Sequence, residues 1–207
     1  MSKDGAKLLI VWGTHAERGF AYGALLGKEI KEVFEGYFLA DFGAPGHDHL
    51  KRLFTRDFYE RTASSQYMDE AKGIIKGMKA EGINLKSNVG GEVFELDEKD
   101  LLMFCALPDM FTADGRFKFT FGDATSMSKD ATSVPLGCSS VSKRDNGKLT
   151  FTRALDWSSN PVLLRNQIMV VHLPTEVSEQ PWVSMGITGY IGCLSGINKL
   201  GLGAFTS

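Results

Sequence analysis

The dipeptide Asn146-Gly147 constrains the fold of this chain more than any other feature of its sequence. It lies in a short polar stretch, 143–148, between two segments that can form strands. Asn-Gly in this setting is the strongest short-range hairpin signal, because both central residues of the tight turn need a positive φ. We therefore expect residues 138–157 to form one β-hairpin.

The position of the turn also predicts which side chains meet across the hairpin. Counting outward from a two-residue loop places Cys138 opposite Leu155 and Ser140 opposite Arg153. Directly opposed residues of an antiparallel pair point to the same side, so these four should share one face. Asp156 lies one step beyond Leu155 and would point to the other face. Its meeting with Cys138 therefore needs a bulge or a strand end.

A cysteine beside an arginine and an aspartate, without a nearby histidine, needs another base. If the Gly137–Cys138 bond is cut, the new α-amino group of Cys138 titrates at a pKa of about 7.7–8.0 and can take the thiol proton. The positive charge of Arg153 would favour the thiolate, and Asp156 would orient the amine. Glycine at 137 leaves the peptide bond open to attack by the neighbouring thiol. We expect Cys138, Arg153 and Asp156 to be the catalytic residues.

Four segments in order resemble the N-terminal nucleophile hydrolases of the choloylglycine hydrolase and isopenicillin N acyltransferase group. Gly137–Ser140 is similar to the self-cleavage site of that family. Arg153–Trp157 is similar to its Arg-Asn-x-Asp-aromatic strand, with Ala154 in place of the asparagine. Gly13–Gly23 matches its Gly-x-x-x-Glu-Arg-Gly-x-x-x-Gly opening, and Gly189–Leu202 is similar to its later glycine- and asparagine-containing strands.

This resemblance implies an α+β protein with part of an αββα sandwich, in which helices cover antiparallel sheets. Residues 1–137 would form an N-terminal strand and a helical pro-segment, and residues 138–207 the incomplete start of the catalytic domain, all in one folded unit. The family has further strands and an oxyanion-stabilising asparagine that would fall beyond Ser207. The chain is accordingly expected to be part of a longer precursor or a truncated product.

The function implied is hydrolysis of a linear amide, or acyl transfer from one, through a thioester on Cys138. No cofactor and no metal are implied. Two other functions stay open: a non-catalytic remnant or binding module of the same fold, and a conventional cysteine protease that pairs Cys138 with His172. The last alternative predicts activity without self-cleavage.

The composition of the chain limits the classes of partner and the cellular location that we expect. The formal charge is −2, from 23 basic and 25 acidic residues, which argues against a nucleic-acid partner. Three cysteines, far apart in the sequence, argue against a disulfide scaffold. The apolar run Leu8–Trp12 is too short for a signal segment or a membrane span. We expect a cytoplasmic protein as given, or an exported parent if a leader was removed, that takes a small N-acyl amide or acyl donor. A homo-oligomer stays open.

The remaining segments predict the scaffold. Leu8–Trp12 is expected to be a buried strand, and Thr14, with Glu17 three residues later, is expected to begin a helix that reaches about Phe38. Gly19, Gly23 and Gly27 recur every four residues and predict a flat face for helix packing. Further helices are expected over 50–82, with Gly82 as the C-cap, and over 97–107, ended by Pro108. Strands are expected over 166–173 and 181–187.

His47 and His49 lie in a glycine- and proline-containing stretch that predicts a solvated loop.

Overall fold

The computed structural model describes residues 7–40, 47–48, 51–52, 54–55, 59, 64–89, 91–112, 137–156 and 160–205. The helices are α1 His15–Val33, which continues as a π-helical turn over Phe34–Leu39, α2 Ser65–Ala80, α3 Glu98–Thr112 and α4 Pro161–Arg165. The strands are β1 Lys7–Gly13, β2 Lys86–Val89, β3 Glu92–Glu95, β4 Gly137–Asp145, β5 Lys148–Asp156, β6 Gln167–Pro174, β7 Trp182–Ile187, β8 Ser195–Asn198 and β9 Gly203–Phe205. The chain is therefore an α+β protein, as predicted.

The largest sheet has five strands in the order β1-β6-β7-β8-β9. Its β6-β7, β7-β8 and β8-β9 pairs are antiparallel, as expected, but β1 and β6 run parallel. The chain between them passes through the helices, and such a long crossover lets two neighbouring strands point the same way. Strands β2 and β3 form a separate two-stranded sheet.

The hairpin prediction is confirmed in detail. Strands β4 and β5 form a two-stranded antiparallel sheet joined by Asn146 and Gly147, whose φ angles are 47° and 79°. Both values lie in the left-handed region that a two-residue hairpin turn requires. Cys138 lies opposite Leu155 and Ser140 lies opposite Arg153, so the predicted register is correct.

The five-stranded sheet has one buried and one exposed face. Leu9 and Val11 of β1 point into the core with Ile168 and Val170 of β6. Alternate side chains of β1 point the other way and are well exposed: Leu8 (64%), Ile10 (50%) and Trp12 (72%). The expectation of a buried strand is therefore wrong for three of the five residues Leu8–Trp12, because helices pack on one side only in the described part of the chain. We refer to the side of Leu8 and Trp12 as the outer face.

Helix α1 packs closely and in parallel against α2. Gly19 lies against Glu70, and four residues later Gly23 lies against Ile74. A Cβ atom on Gly23 would lie 2.0 Å from the Ile74 carbonyl oxygen, so the backbones touch where the side chain is missing. On α2, Gly77 makes the same close approach to Phe20 of α1. The predicted flat glycine face is confirmed as a helix-packing surface.

Helix α1 begins with the predicted capping box. The Thr14 hydroxyl accepts from the Glu17 amide, and Glu17 Oε2 accepts from the Thr14 amide at 2.8 Å. Those hydrogen bonds satisfy amide groups that have no partner within the first helical turn. They also lower the pKa of Glu17, the amide of Thr14 contributing most.

We expect Thr14→Ala to cost about 1 kcal/mol of unfolding free energy, because the cap loses its hydroxyl acceptor. Chemical denaturation followed by circular dichroism measures this loss. Ser64→Ala is the matched control, since Ser64 precedes α2 but its side chain makes no capping hydrogen bond. Equal losses in the two variants would contradict this assignment of the cap.

The later scaffold predictions that fall on described residues are confirmed except at the end of one helix, while most of 50–63, the first part of the predicted 50–82 helices, lies outside those residues. Helix α2 ends at Ala80 with Glu81 as its C-cap, and Gly82, predicted as the cap, follows one position later with a φ of 69°. Strands β6 and β7 lie where strands were predicted. Helix α3, however, continues through Pro108 to Thr112. Proline inside a helix removes one backbone hydrogen bond and its ring clashes with the carbonyl four residues earlier, which is why an end was predicted, but here the helical backbone continues past it. Among the described residues, no helix is both long and apolar enough to cross a membrane.

Candidate functional site

The hairpin brings Cys138 and Arg153 into direct contact. Arg153 Nη2 donates to Cys138 Sγ over 2.8 Å. The contact follows from the turn, because the register places both residues on one face of the two-stranded sheet, in pairs that are consecutive on that face. Cys138 is half-buried, and its neighbours Ser139 and Ser140 are exposed. The thiol therefore lies near solvent beside a fixed positive charge.

Arg153 also ties the hairpin to the large sheet. Its Nη1 donates to the carbonyl oxygen of Leu194 and, over 2.7 Å, to the hydroxyl of Ser195 at the start of β8. On the same face of the hairpin as Arg153, Phe151 stacks on Phe205 of β9 with ring centroids 4.6 Å apart. Arg153 is thus held at several points, and a planar guanidinium held in this way is a fixed rather than a mobile charge.

The hairpin lies on the outer face of the large sheet. A row of cross-strand partners runs across the sheet from Leu8 on β1 to Met169 on β6, Met185 on β7 and Ser195 on β8. Directly paired residues point to the same side, so Ser195 points to the same side as the exposed Leu8. Arg153 reaches Ser195 from that side. The Cys138 site is accordingly separated by the sheet from the helices.

The structure gives the backbone position of Asp156 but does not test its predicted role. Asp156 pairs with Gly137 and ends β5, and the register continues without interruption from this pair to the turn. No bulge therefore interrupts the pairing of β4 and β5 between Asp156 and the turn. The side chain of Asp156, and Trp157 as a whole, lie outside the described residues.

The other two cysteines have different surroundings. Burial raises the pKa of Cys105 to about 12, although its sulfur accepts from the Ile191 amide over 3.1 Å. Burial also raises the pKa of Cys193, and Arg153 acts in the opposite direction. Thiols with raised pKa values carry little thiolate at neutral pH and are poor nucleophiles. Cys138 is the cysteine with a direct guanidinium contact among the described residues.

His172 lies on the other side of the sheet from Cys138. It pairs with Val11, which points into the core, and its ring stacks on Trp182 with centroids 3.9 Å apart. Its Nε2 lies 3.2 Å from the Ser184 hydroxyl. Burial lowers the pKa of His172 to about 3, so the ring is neutral at physiological pH. This arrangement gives no support to a Cys138–His172 dyad.

The expectation of a solvated loop at His47 is wrong. Its ring is buried among the edges of Phe34, Phe38 and Phe94, and its Nε2 lies 2.8 Å from Asp100 Oδ1. Glycine and proline near a histidine indicate a turn but say nothing about what covers it. His49 lies outside the described residues.

A charged cluster that the sequence did not predict lies at the start of α1. His15 and Arg18 of α1 meet Glu70 of α2 and two carboxylates, Glu176 and Glu179, from the β6–β7 connection. Arg18 is fully buried. One ring nitrogen of His15 and one carboxylate oxygen each of Glu176 and Glu179, atoms that could bind a metal ion, lie within 4.8 Å of one another. The members are separated by up to 164 positions along the chain, so no local spacing could have indicated the cluster.

Neither the models of known protein families nor the curated protein sequences contain a match to this chain.

Proposed function

We propose that this chain is a cysteine hydrolase or acyltransferase of linear amides, with Cys138 as an N-terminal nucleophile that self-cleavage exposes. The observation that carries the proposal is the contact between Arg153 and the Cys138 sulfur, which the hairpin register creates. A guanidinium held against a sulfur stabilises the negative form of that sulfur. The four segments that resemble the N-terminal nucleophile hydrolases supply independent support from the sequence.

The first step would be cleavage of the Gly137–Cys138 bond. Cys138 Sγ attacks the carbonyl carbon of Gly137, the C–N bond breaks, and the nitrogen takes a proton to become the α-amine of Cys138. Water then hydrolyses the thioester, which leaves a carboxylate on Gly137 and a free thiol. The extended backbone of both residues at the start of β4, and the absence of a side chain on Gly137, keep the carbonyl accessible to the sulfur.

Turnover would use the amine as the base. It accepts the thiol proton, the thiolate attacks the acyl carbonyl of the substrate, and the leaving amine departs with a proton. The thioester then passes its acyl group to water or to an acceptor amine. Arg153 holds the sulfur throughout, and we assign Asp156 to orient the new α-amine. These steps use only groups of the chain and its substrate.

Intact mass and N-terminal sequencing of the purified protein test the proposal. We expect the wild-type chain to yield a fragment that begins at Cys138, and Cys138→Ala to stay whole. Cys105→Ala and Cys193→Ala are the matched controls, and both should be cleaved like the wild type. The cleaved protein should also form a mass adduct at Cys138 with a thiol-reactive N-acyl amide analogue.

A wild-type chain that stays whole and forms no adduct would contradict the proposal. That outcome would favour a non-catalytic binding module, in which the Arg153–Cys138 contact only fastens the hairpin to the sheet. Cleavage at Cys138 that persists in Cys138→Ala would indicate a contaminating protease and would equally oppose self-processing.

A further inference from the structure

The His15 ring at the start of α1 lies between two carboxylates from different parts of the chain. Its Nδ1 lies 2.8 Å from Glu70 Oε2 on α2, and its Nε2 is in direct contact with Glu179 Oε1 in the β6–β7 connection. The Glu70 side chain is 4% exposed and the His15 side chain 12%. Both ring nitrogens therefore face an acceptor in a largely buried site.

A neutral imidazole cannot satisfy both contacts. It carries one N–H and one lone pair, and a lone pair directed at a carboxylate oxygen is repulsive. An imidazolium has an N–H on each nitrogen and can donate to both carboxylates. We propose that His15 is a proton-operated clamp, which in its imidazolium form fastens the β6–β7 connection, residues 175–181, to helices α1 and α2.

The charges around His15 favour this proton. Facing the ring are Glu70 and Tyr67 from α2, Glu176 and Glu179 from the β6–β7 connection, Arg18 from α1 and His172 from β6. Three carboxylates face one permanent cation, Arg18, and His172 is neutral, so a proton on His15 reduces the excess negative charge around the ring. The pKa of His15 is raised, by Glu70 most of all and also by Glu179, against an opposing effect of burial.

The contacts fit a proton better than a metal ion. Arg18 already donates to Glu176 Oε2 over 3.2 Å and to Glu179 Oε2 over 2.9 Å, and the His15 amide donates to Glu176 Oε1 over 2.9 Å. Those bonds occupy the oxygens that an ion would use. The direct contact between Nε2 and Glu179 leaves no room for an ion between them, since each ligand atom would lie about 2 Å from the metal.

The clamp holds a segment that borders a cleft. Thr175 donates its amide to the Gly13 carbonyl over 3.3 Å, and the two residues, with Trp12, Glu17 and Ala21, line a cleft of about 300 Å³. Glu176, the next residue, is bound by the His15 amide. Loss of the proton would leave a lone pair against either Glu70 or Glu179, so one of the two contacts through which His15 joins the connection to α2 would become repulsive.

The direction of the pH effect follows from the raised pKa of His15. A histidine whose pKa is higher in the folded state stabilises that state fully below its unfolded value, about 6.5, and loses this contribution as the pH rises through the folded value. The clamp is therefore closed below pH 6.5 and opens as the pH rises through the higher pKa that His15 has in the folded state. Because it lies on the helix side of the sheet, it does not depend on the function of Cys138.

Nuclear magnetic resonance and hydrogen exchange on the whole protein test the clamp. We expect both His15 ring nitrogens to carry protons at pH 6 and the ring to titrate above 6.5. Corrected for the intrinsic exchange rate, protection of the Thr175 and Glu179 amides should fall as His15 deprotonates. The fall should be about tenfold for each unit by which the folded pKa exceeds 6.5.

The variants separate the clamp from a general loss of stability. His15→Gln and the milder Glu179→Gln should remove the pH dependence of these two amides, whereas Glu81→Gln, at the exposed end of α2, should keep it. A ring with one protonated nitrogen at pH 6, or protection independent of pH in the wild type, would overturn the proposal. Tight binding of Zn²⁺ by His15, reversed by a chelator, would also overturn it in favour of a metal site.

Discussion

Gly23→Ala is expected to destabilise the protein by about 3 kcal/mol or more, although alanine is the better helix former. The new methyl group would lie 2.0 Å from the Ile74 carbonyl oxygen, and both groups belong to helix backbones that cannot rotate away. The helices would have to separate, which would loosen the core between them. The gain in helix propensity, about 1 kcal/mol, is too small to offset this. Denaturant unfolding followed by circular dichroism measures the difference.

Two further glycine substitutions make this a graded test. In Gly27→Ala the new methyl group would meet the flexible Met78 side chain at 3.0 Å, so a smaller loss is expected. In Gly186→Ala, on β7, the nearest atom would be 3.5 Å away, an ordinary contact, and we expect less than 1 kcal/mol. If Gly23→Ala proved no worse than Gly186→Ala, the close packing of α1 on α2 would be wrong.

Replacement of Arg153 by methionine is expected to slow self-cleavage by about 10²- to 10³-fold. That is the range for losing one fixed charge-stabilising donor at a reacting atom. Methionine keeps much of the side-chain volume but loses the donors to Cys138, Leu194 and Ser195. Arg153→Lys should retain part of the rate, because lysine keeps the charge but lacks the planar fork. The fraction of cleaved chain against time, by intact mass, measures both variants.

Control variants separate two effects of Arg153: its charge beside the Cys138 sulfur, and its hydrogen bonds that attach the hairpin to the large sheet. Arg144→Met removes an arginine from the exposed tip of β4 and should leave the rate unchanged. Ser195→Ala removes one anchor of Arg153 without touching the sulfur and should have a smaller effect than Arg153→Met. Equal rates for Arg153→Met and the wild type would mean that Arg153 fastens the hairpin but takes no part in the chemistry.

Local rules account for the features that could be predicted. The Asn146-Gly147 turn determines the register of β4 and β5, and through it the approach of Arg153 to Cys138. The start of α1 follows from the hydrogen bonds between Thr14 and Glu17, which are three residues apart. In each case the interacting groups are close in sequence or related through one short turn, so counting residues is enough.

Burial and long-range contacts could not be predicted in this way. The exposure of Trp12 and the burial of His47 depend on which layers cover each element, and the sequence of a strand or loop does not state this. The same holds for the continuation of α3 through Pro108, because the local cost of a proline in a helix can be offset by contacts elsewhere along the helix, which the sequence around the proline does not state.

The sequence by itself determined the hairpin, the helix cap and the glycine surface of α1, because each depends on backbone conformation or on spacing along one element. Only the tertiary structure decided which partners meet. It placed Arg153 against β8, put His172 on the opposite face from Cys138, and enclosed His15 between carboxylates from two distant segments. The physical reason is that charge pairing and burial depend on distance in space, which chain topology sets and local sequence does not encode.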